Sequence, residues 1–388
     1  MLELLNQSRY LIQKNRDELV RKRFKISPLR KNLFTVMRLF FKITQMLSVA
    51  PEYKKNRILI INLNKIGDNI LTFPALKEIV DNFGNDVFIL VYKNTEVLYE
   101  SFFYKDNIIS IDKDKFVNKM RFASAKGRNI IKEIAPEIVI DFTSNVISVS
   151  LLFTYKAKKV LGTKTDYYNN LFGKEYLLYN NIFHLQDRYN EVSAKLLKKP
   201  LSKTYYEYPI NEERVKRILI HPLAGWKAKE WSIKNYIELA GKLIRDYEVA
   251  FIFEKGKIDN QTLQLFEENK ISYIETVTLE QLIDEIKRCS LFIGNDSGPM
   301  HIASIYGKPT FTIFGPTNPD YIQPIGNYHR FVNETVECSP VTELYCLTNA
   351  GRSGCPAFIC MENLGLEKVY GEIMKLLNDL NKTLVKNK

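Results

Sequence analysis

Apolar residues recur along this chain in two rhythms. ILIINL (Ile58–Leu63) is apolar almost without alternation, which predicts a parallel strand buried on both faces. It leads through NKIGDN into TFPALKEIVDNF, where the apolar spacing becomes helical. DVFILVY (Asp86–Tyr92) and EIVIDF (Glu137–Phe142) repeat the strand–turn–helix alternation of a doubly wound α/β domain. A mixed segment, Asn180–Asn211, ends in the Tyr/Pro-rich stretch TYYEYPI and reads as a connection. A second series follows. RILIHP (Arg217–Pro222) is a predicted strand, WSIKNYIELAGKLIRDY a helix and EVAFIFEKG (Glu248–Gly256) a strand. TLEQLIDEIKRC is a helix, SLFIGND a strand, MHIASIYG a helix and TFTIFG a strand. Two α/β halves of similar size put the expected functional surface in a cleft between them.

Upstream, KNLFTVMRLFFKITQMLSVA has helical spacing of another kind. Lys31, Arg38, Lys42 and Gln45 fall on one helical face, with Phe34, Met37, Phe41 and Val49 among the residues filling the rest. Two readings fit: a helix lying in the plane of an anionic membrane, or a helix docked on the body.

Length and charge sharpen this picture. A chain of 388 residues is too long for one compact core, and 45% hydrophobic with 26% charged residues is a globular composition. Residues 1–57 hold 14 Lys/Arg against four Asp/Glu, so they carry +10 of the net +12. Any anionic partner is therefore expected at the extension. Nothing else is basic or motif-like enough for a nucleic-acid binder. No secretory signal and no run of about 18 uncharged apolar residues is visible, so a reducing cytoplasm is the expectation. Four of the five cysteines, Cys338, Cys346, Cys355 and Cys360, fall in one loop-like stretch. Their spacing lacks a C-x2-C pair, and they read either as metal ligands or as reduced thiols in a packed loop.

Three constellations carry chemistry. In IGNDSGPMHIAS, Asp296-Ser297-Gly298 stands where a strand gives way to a helix. Asp or Ser there caps the helix, with Pro299 as an early helical residue; the same free N–H groups and dipole suit an anion. Pro299 has no N–H, which leaves Gly298, Met300 and His301 as donors. HPLAGWKAKEW (His221–Trp231) follows a strand and offers Lys227 and Lys229 to an anion. In LNKIGDNILTFP, Gly67 is expected to serve a tight turn and Asp68 to stand at the helix start. There Asp68 is an N-cap or, facing a bound nucleotide, a general base. Asp112-Lys113-Asp114 is a solvated turn rather than a metal site.

With these three segments in order, the chain from about Arg57 to Leu377 resembles glycosyltransferase family 9, the ADP-heptose:lipopolysaccharide heptosyltransferases. The resemblance implies a GT-B fold: a 1–56 basic helical extension, a 57–200 Rossmann-like acceptor domain and a 211–388 Rossmann-like donor domain. It implies inverting transfer of a heptose or related sugar from a nucleotide-diphosphate sugar to a lipid-linked glycan, without cofactor or metal. By resemblance, Asp68 is the base and Lys229 contacts the donor phosphates. Asp296, Ser297, Gly298, Met300 and His301 hold the pyrophosphate. Ala224-Gly225-Trp226 lacks the hydroxyls found in some members. FEKGKIDN departs from the family pattern, leaving Glu254 or Asp259 for the nucleoside and the base unassigned. The expected place of work is the cytoplasmic face of the inner membrane, reached through the extension. Rival readings are a GT-B transferase using a UDP-hexose and a binding relative without turnover.

Overall fold

The computed structural model describes residues 36, 39–44, 46–48, 51–116, 122–163, 176–177, 184–200, 215–341, 343–346, 355 and 358–386. Lys31, Phe34, Met37, Arg38, Gln45, Val49 and the TYYEYPI stretch lie outside the described residues. The chain forms two compact units, one within Ile26–Tyr205 and one holding Tyr206–Lys388.

The first unit holds a six-stranded sheet: β1 (Lys54–Asn62), β2 (Val87–Tyr92), β3 (Ile108–Ile111), β4 (Pro136–Asp141), β5 (Lys159–Thr163) and β6 (Tyr176–Leu177). The second holds β7 (Arg217–His221), β8 (Glu248–Glu254), β9 (Ser272–Thr276), β10 (Leu291–Asn295), β11 (Thr310–Phe314) and β12 (His329–Asn333). The orders are β3-β2-β1-β4-β5-β6 and β12-β11-β10-β7-β8-β9. Every pairing is parallel. Counted from its own first strand, each sheet runs 3-2-1-4-5-6, the doubly wound dinucleotide-fold order. The predicted α/β class is therefore what the chain adopts, twice over.

The apolar runs explain the sheets. β10 and β11 are buried at every position, as crossover helices on both faces require. Helices Phe73–Phe83 and Ile233–Leu243 turn one apolar face inward, burying Leu76 and Ile79 in the first and Tyr236 and Leu239 in the second. Trp231, Tyr236, Phe251 and Phe266 anchor the second core.

Three expectations change. Gly67 and Asp68 lie inside a short helix, Ile66–Ile70, whose N-cap is Lys65, so neither turns nor caps as expected. Gly67 is not among the left-handed glycines. The supposed connection Asn180–Asn211 contains a 13-residue helix, Leu185–Leu197, which belongs to the first unit. Its Ser193 hydroxyl donates to Glu78 of helix Phe73–Phe83 at 2.6 Å. A 21-residue helix, Leu366–Lys386, whose sequence raised no expectation, covers the second core with Val369, Ile373, Leu376 and Leu377. Near the N-terminus, residues 36, 39–44, 46 and 47 are helical, and Phe41 is buried against the first core. The docked reading holds for that side chain.

Candidate functional site

In a 3-2-1-4-5-6 sheet the chain reverses direction beside strands 1 and 4, and the loops leaving those strands bound a crevice suited to ligands. In the second unit these are β7 and β10, which are hydrogen-bonded neighbours. The loops His221–Trp231 and Asn295–Gly298 therefore leave adjacent strands at the same edge. In the first unit they are β1, leading into Asp68, and β4, leading into Thr143 and Ser144.

β10 comes close to β7 because residue 294 lacks a side chain: a Cβ there would meet the His221 carbonyl oxygen at 2.9 Å. Asn295, fully buried at the strand end, then ties the edge together. The Trp231 backbone N–H and the Tyr236 hydroxyl donate to its Oδ1 at 3.1 and 2.9 Å, and its Nδ2 donates to the Pro222 carbonyl at 2.7 Å. Every polar atom of the side chain is used, so it cross-braces both loops and the helix after them. The sequence marks Asn295 only as the first residue of the polar turn Asn295–Pro299, with no role of its own; its bracing of both loops is set by the packed sheet.

The two lysines of the β7 loop separate cleanly. Lys227 points outward and pairs with Glu230 at 2.9 Å. Lys229 ends the 3-10 turn Lys227–Lys229, and its side chain is 11% exposed. Its Nζ makes an ion pair with Asp296 Oδ2. The same Nζ lies 4.7 Å from the Trp226 ring centroid and 5.7 Å from that of Tyr345. Those rings pack edge to face at 5.3 Å. A buried ammonium is costly without a partner, and the carboxylate with two aromatic faces supplies one. Tyr345 is held by its bridge to Thr317, on the loop after β11. Neither aromatic figured among the expected site residues.

Ser297 is the N-cap of helix Gly298–Ile305, but its side chain makes no capping bond. Among the described residues, three buried hydroxyls lack a hydrogen-bond partner: Thr312 Oγ1 inside β11, and Ser297 Oγ and Thr317 Oγ1 at the strand ends. Unsatisfied hydroxyls are uncommon in a folded interior, and here two stand on the carboxyl edge of one sheet. Met300 and His301 turn their side chains into the protein, so only their backbone N–H groups belong to the helix start. His329 faces His301; burial first, then that neighbour, pushes its pKa down to about 4. His221, stacked on Phe292, is pushed down to about 4 by burial.

Glu254 ends β8 with its side chain 68% exposed. Asp259 caps helix Asn260–Glu268, accepting from the Thr262 N–H at 2.8 Å, and this bond holds its carboxyl below the usual range. Asp259 is thus spoken for as a cap, while Glu254 reaches into solvent.

On the first unit, Asp68 is exposed in the first turn of its helix, where the dipole favours a carboxylate. Behind it lies Tyr189, buried on the helix missed in the sequence; burial, then the Asp68 charge, raises the Tyr189 pKa. Asn62, at the end of β1, donates to Thr72 Oγ1 and to the Tyr99 hydroxyl, both at 2.9 Å. Asp141, at the end of β4, accepts from the Thr143 and Ser144 N–H groups and from the Ser148 hydroxyl.

The cysteines gather around Cys360, whose thiol is pushed up to about 12 by burial and then by Cys346, Cys338 and Cys355. At neutral pH it is a protonated thiol. Among the described residues no group of three or more His, Cys, Asp and Glu side chains is arranged to hold a metal ion.

Comparison with known proteins shows what the chain as a whole is similar to. Residues 129–350 match the family description of glycosyltransferase family 9 (heptosyltransferase). The lipooligosaccharide heptosyltransferase 2 of Campylobacter jejuni is 28% identical over 324 residues, which is 80% of this chain and 96% of that one. Among solved structures, the glycosyl transferase family 9 protein of Veillonella parvula aligns with a TM-score of 0.66 at 21% identity, over 85% of this chain and all of its own. Escherichia coli heptosyltransferase WaaC with ADP-2-deoxy-2-fluoro heptose aligns with a TM-score of 0.62 at 16% identity, over 82% of this chain and 99% of that one. The expected GT-B class, two Rossmann-like domains, is the fold these structures share with this chain.

Proposed function

The chain belongs to glycosyltransferase family 9, and on that footing we propose that it transfers a heptose from ADP-heptose to a lipopolysaccharide-core glycan with inversion and without a metal ion. The observation that carries this reading is Lys229, largely covered and paired with Asp296 beside the start of helix Gly298–Ile305, at the switch point of a nucleotide-type sheet. In this reading residues 57–200 form the acceptor domain and 211–388 the donor domain.

The chemistry follows from charge. The Asp68 carboxylate takes the proton of the acceptor hydroxyl as its oxygen attacks the anomeric carbon. The bond from that carbon to the diphosphate breaks, and ADP leaves with the electron pair. Charge growing on the leaving phosphate meets the Lys229 ammonium and the N–H groups of Gly298 and Met300, with Pro299 contributing none and the His301 N–H engaged by the Ser297 carbonyl in the first helical turn. Ser297 and Thr317 supply hydroxyls to the same oxygens, which gives their unpaired Oγ atoms a use. Asp296 repels phosphate, so its role is to hold Lys229 in place rather than to bind the donor. Glu254 takes the ribose, since Asp259 is engaged as a cap. The basic extension brings the enzyme to the anionic cytoplasmic face of the inner membrane, where a lipid-linked acceptor is anchored.

The test is transfer itself. Purified protein is incubated with ADP-heptose or UDP-hexoses and a core acceptor, with and without EDTA, and the anomeric configuration of the product is read by NMR. Transfer from ADP-heptose alone, with inversion and unaffected by EDTA, is expected. Preference for a UDP-hexose would replace the donor assignment, and binding without turnover would favour a non-catalytic relative.

A further inference from the structure

The helical segment near the N-terminus faces two ways. Phe41 is buried on the first unit, its ring 5.6 Å from that of Phe153. Val36, Leu39, Phe40, Ile43, Met46 and Leu47 are instead 45–82% exposed. Their spacing of 0, 3, 4, 7, 10 and 11 residues is that of a single helical stripe, and Phe41 lies on the opposite side. Phe40, at the edge of the stripe, also touches Phe153 with its ring centroid 5.8 Å away, so the helix is docked through Phe41 and one edge of Phe40 and shows solvent the rest of its apolar side. Six large apolar side chains in one stripe are more than a soluble surface ordinarily leaves bare.

We propose that this stripe lies in the interfacial layer of an anionic bilayer, with Phe41 as the rivet that keeps the helix on the protein. The proposal rests on the membrane reading given above and deepens it to named side chains. Charge selects the occupant. Residues 1–57 carry 14 Lys/Arg against four Asp/Glu, so a second copy would bring like charge against like. An anionic lipid surface attracts the same residues and accepts the apolar stripe. An exposed apolar stripe on a helix flanked by basic sequence suits a helix lying in the plane of the bilayer.

The test uses the full chain and vesicles of phosphatidylglycerol and phosphatidylethanolamine. Leu39→Glu with Ile43→Glu changes exposed positions, and an unchanged melting temperature verifies the fold. Co-sedimentation is expected to weaken about 10-fold or more. Leu39→Ile with Ile43→Leu retains binding. In Met46→Trp, emission is quenched by bromine-labelled acyl chains. Equal sedimentation of wild type and the Glu pair overturns the stripe while leaving the membrane reading on charge alone. Wild type that sediments with no vesicle overturns both. A dimer that the Glu pair converts to monomer assigns the stripe to a second copy. A Met46→Trp emission already shifted to the blue without vesicles assigns it to the chain's own preceding residues. Either result overturns the proposal.

Discussion

The two sheets share one strand order, yet their switch points are built differently. At the edge of β7 and β10, buried Asn295 ties Trp231 to Tyr236, and the largely covered Lys229 pairs with buried Asp296. At the edge of β1, Asn62 is likewise buried and bonded, but the candidate base stands outward on a five-residue helix. The difference fits the two tasks proposed for these edges. Stabilising a departing diphosphate requires charges and dipoles held in place beforehand. A general base requires access to a hydroxyl that arrives with a large acceptor, so exposure is no defect there.

This contrast predicts different consequences for Asp68 and for the Lys229–Asp296 pair. Asp68→Asn should slow transfer by about 10^2- to 10^4-fold while ADP affinity and melting temperature stay near wild type. Initial rates, calorimetric ADP titration and thermal melts check it, and undiminished transfer would remove the base assignment.

Lys229→Ala should affect both binding and stability, because it strands Asp296 in a buried setting. Losing one partner of a buried pair costs about 3–5 kcal/mol. The double change Lys229→Ala/Asp296→Ala should then be less destabilising than the two single changes summed, as measured by denaturant unfolding. Additive costs would mean that the pair does not act as a unit.

Acid should find the second unit through His221 and His329. Both have folded-state pKa values near 4, against 6.5 when free. As pH falls from 6.5 towards 4, the unfolded chain binds protons that the folded chain refuses, so stability falls. Above 6.5 the contribution is fully present, at up to about 3 kcal/mol for each ring. Thermal melts from pH 7.5 to 4.5 should show this slope, and His329→Gln should make it shallower. A flat profile would contradict the buried neutral imidazoles.

The smallest effect is expected at Lys227, two residues from Lys229 and outside the buried cluster. Lys227→Ala should cost no more than about 1 kcal/mol of stability and leave donor affinity unchanged. A loss matching that of Lys229→Ala would undo the distinction between the two lysines.

Much of this was readable beforehand. Apolar runs such as ILIINL and SLFIGND announce buried parallel strands because a strand covered on both faces has no polar side to display. The helix after β10 was equally plain, with Ser297 before it and Pro299 in its first turn. Helix Leu185–Leu197 was not, because it mixes buried polar residues such as Asp187, Asn190 and Ser193 into its inward face. Its periodicity fades, and with it went Tyr189, the neighbour of Asp68.

The sequence by itself determined the fold class, the basic extension and the three loops that hold the candidate chemistry, since each is written in neighbouring residues. Tertiary structure alone decided which lysine is turned inward, that Asp296 pairs with that lysine, and that Asn295 locks the loops together. It also decided that Phe41 docks while Val36, Leu39, Ile43, Met46 and Leu47 on the same helix stay exposed. These depend on side chains meeting across tens of residues of sequence, where burial and partner are set by the packed sheet and not by local spacing.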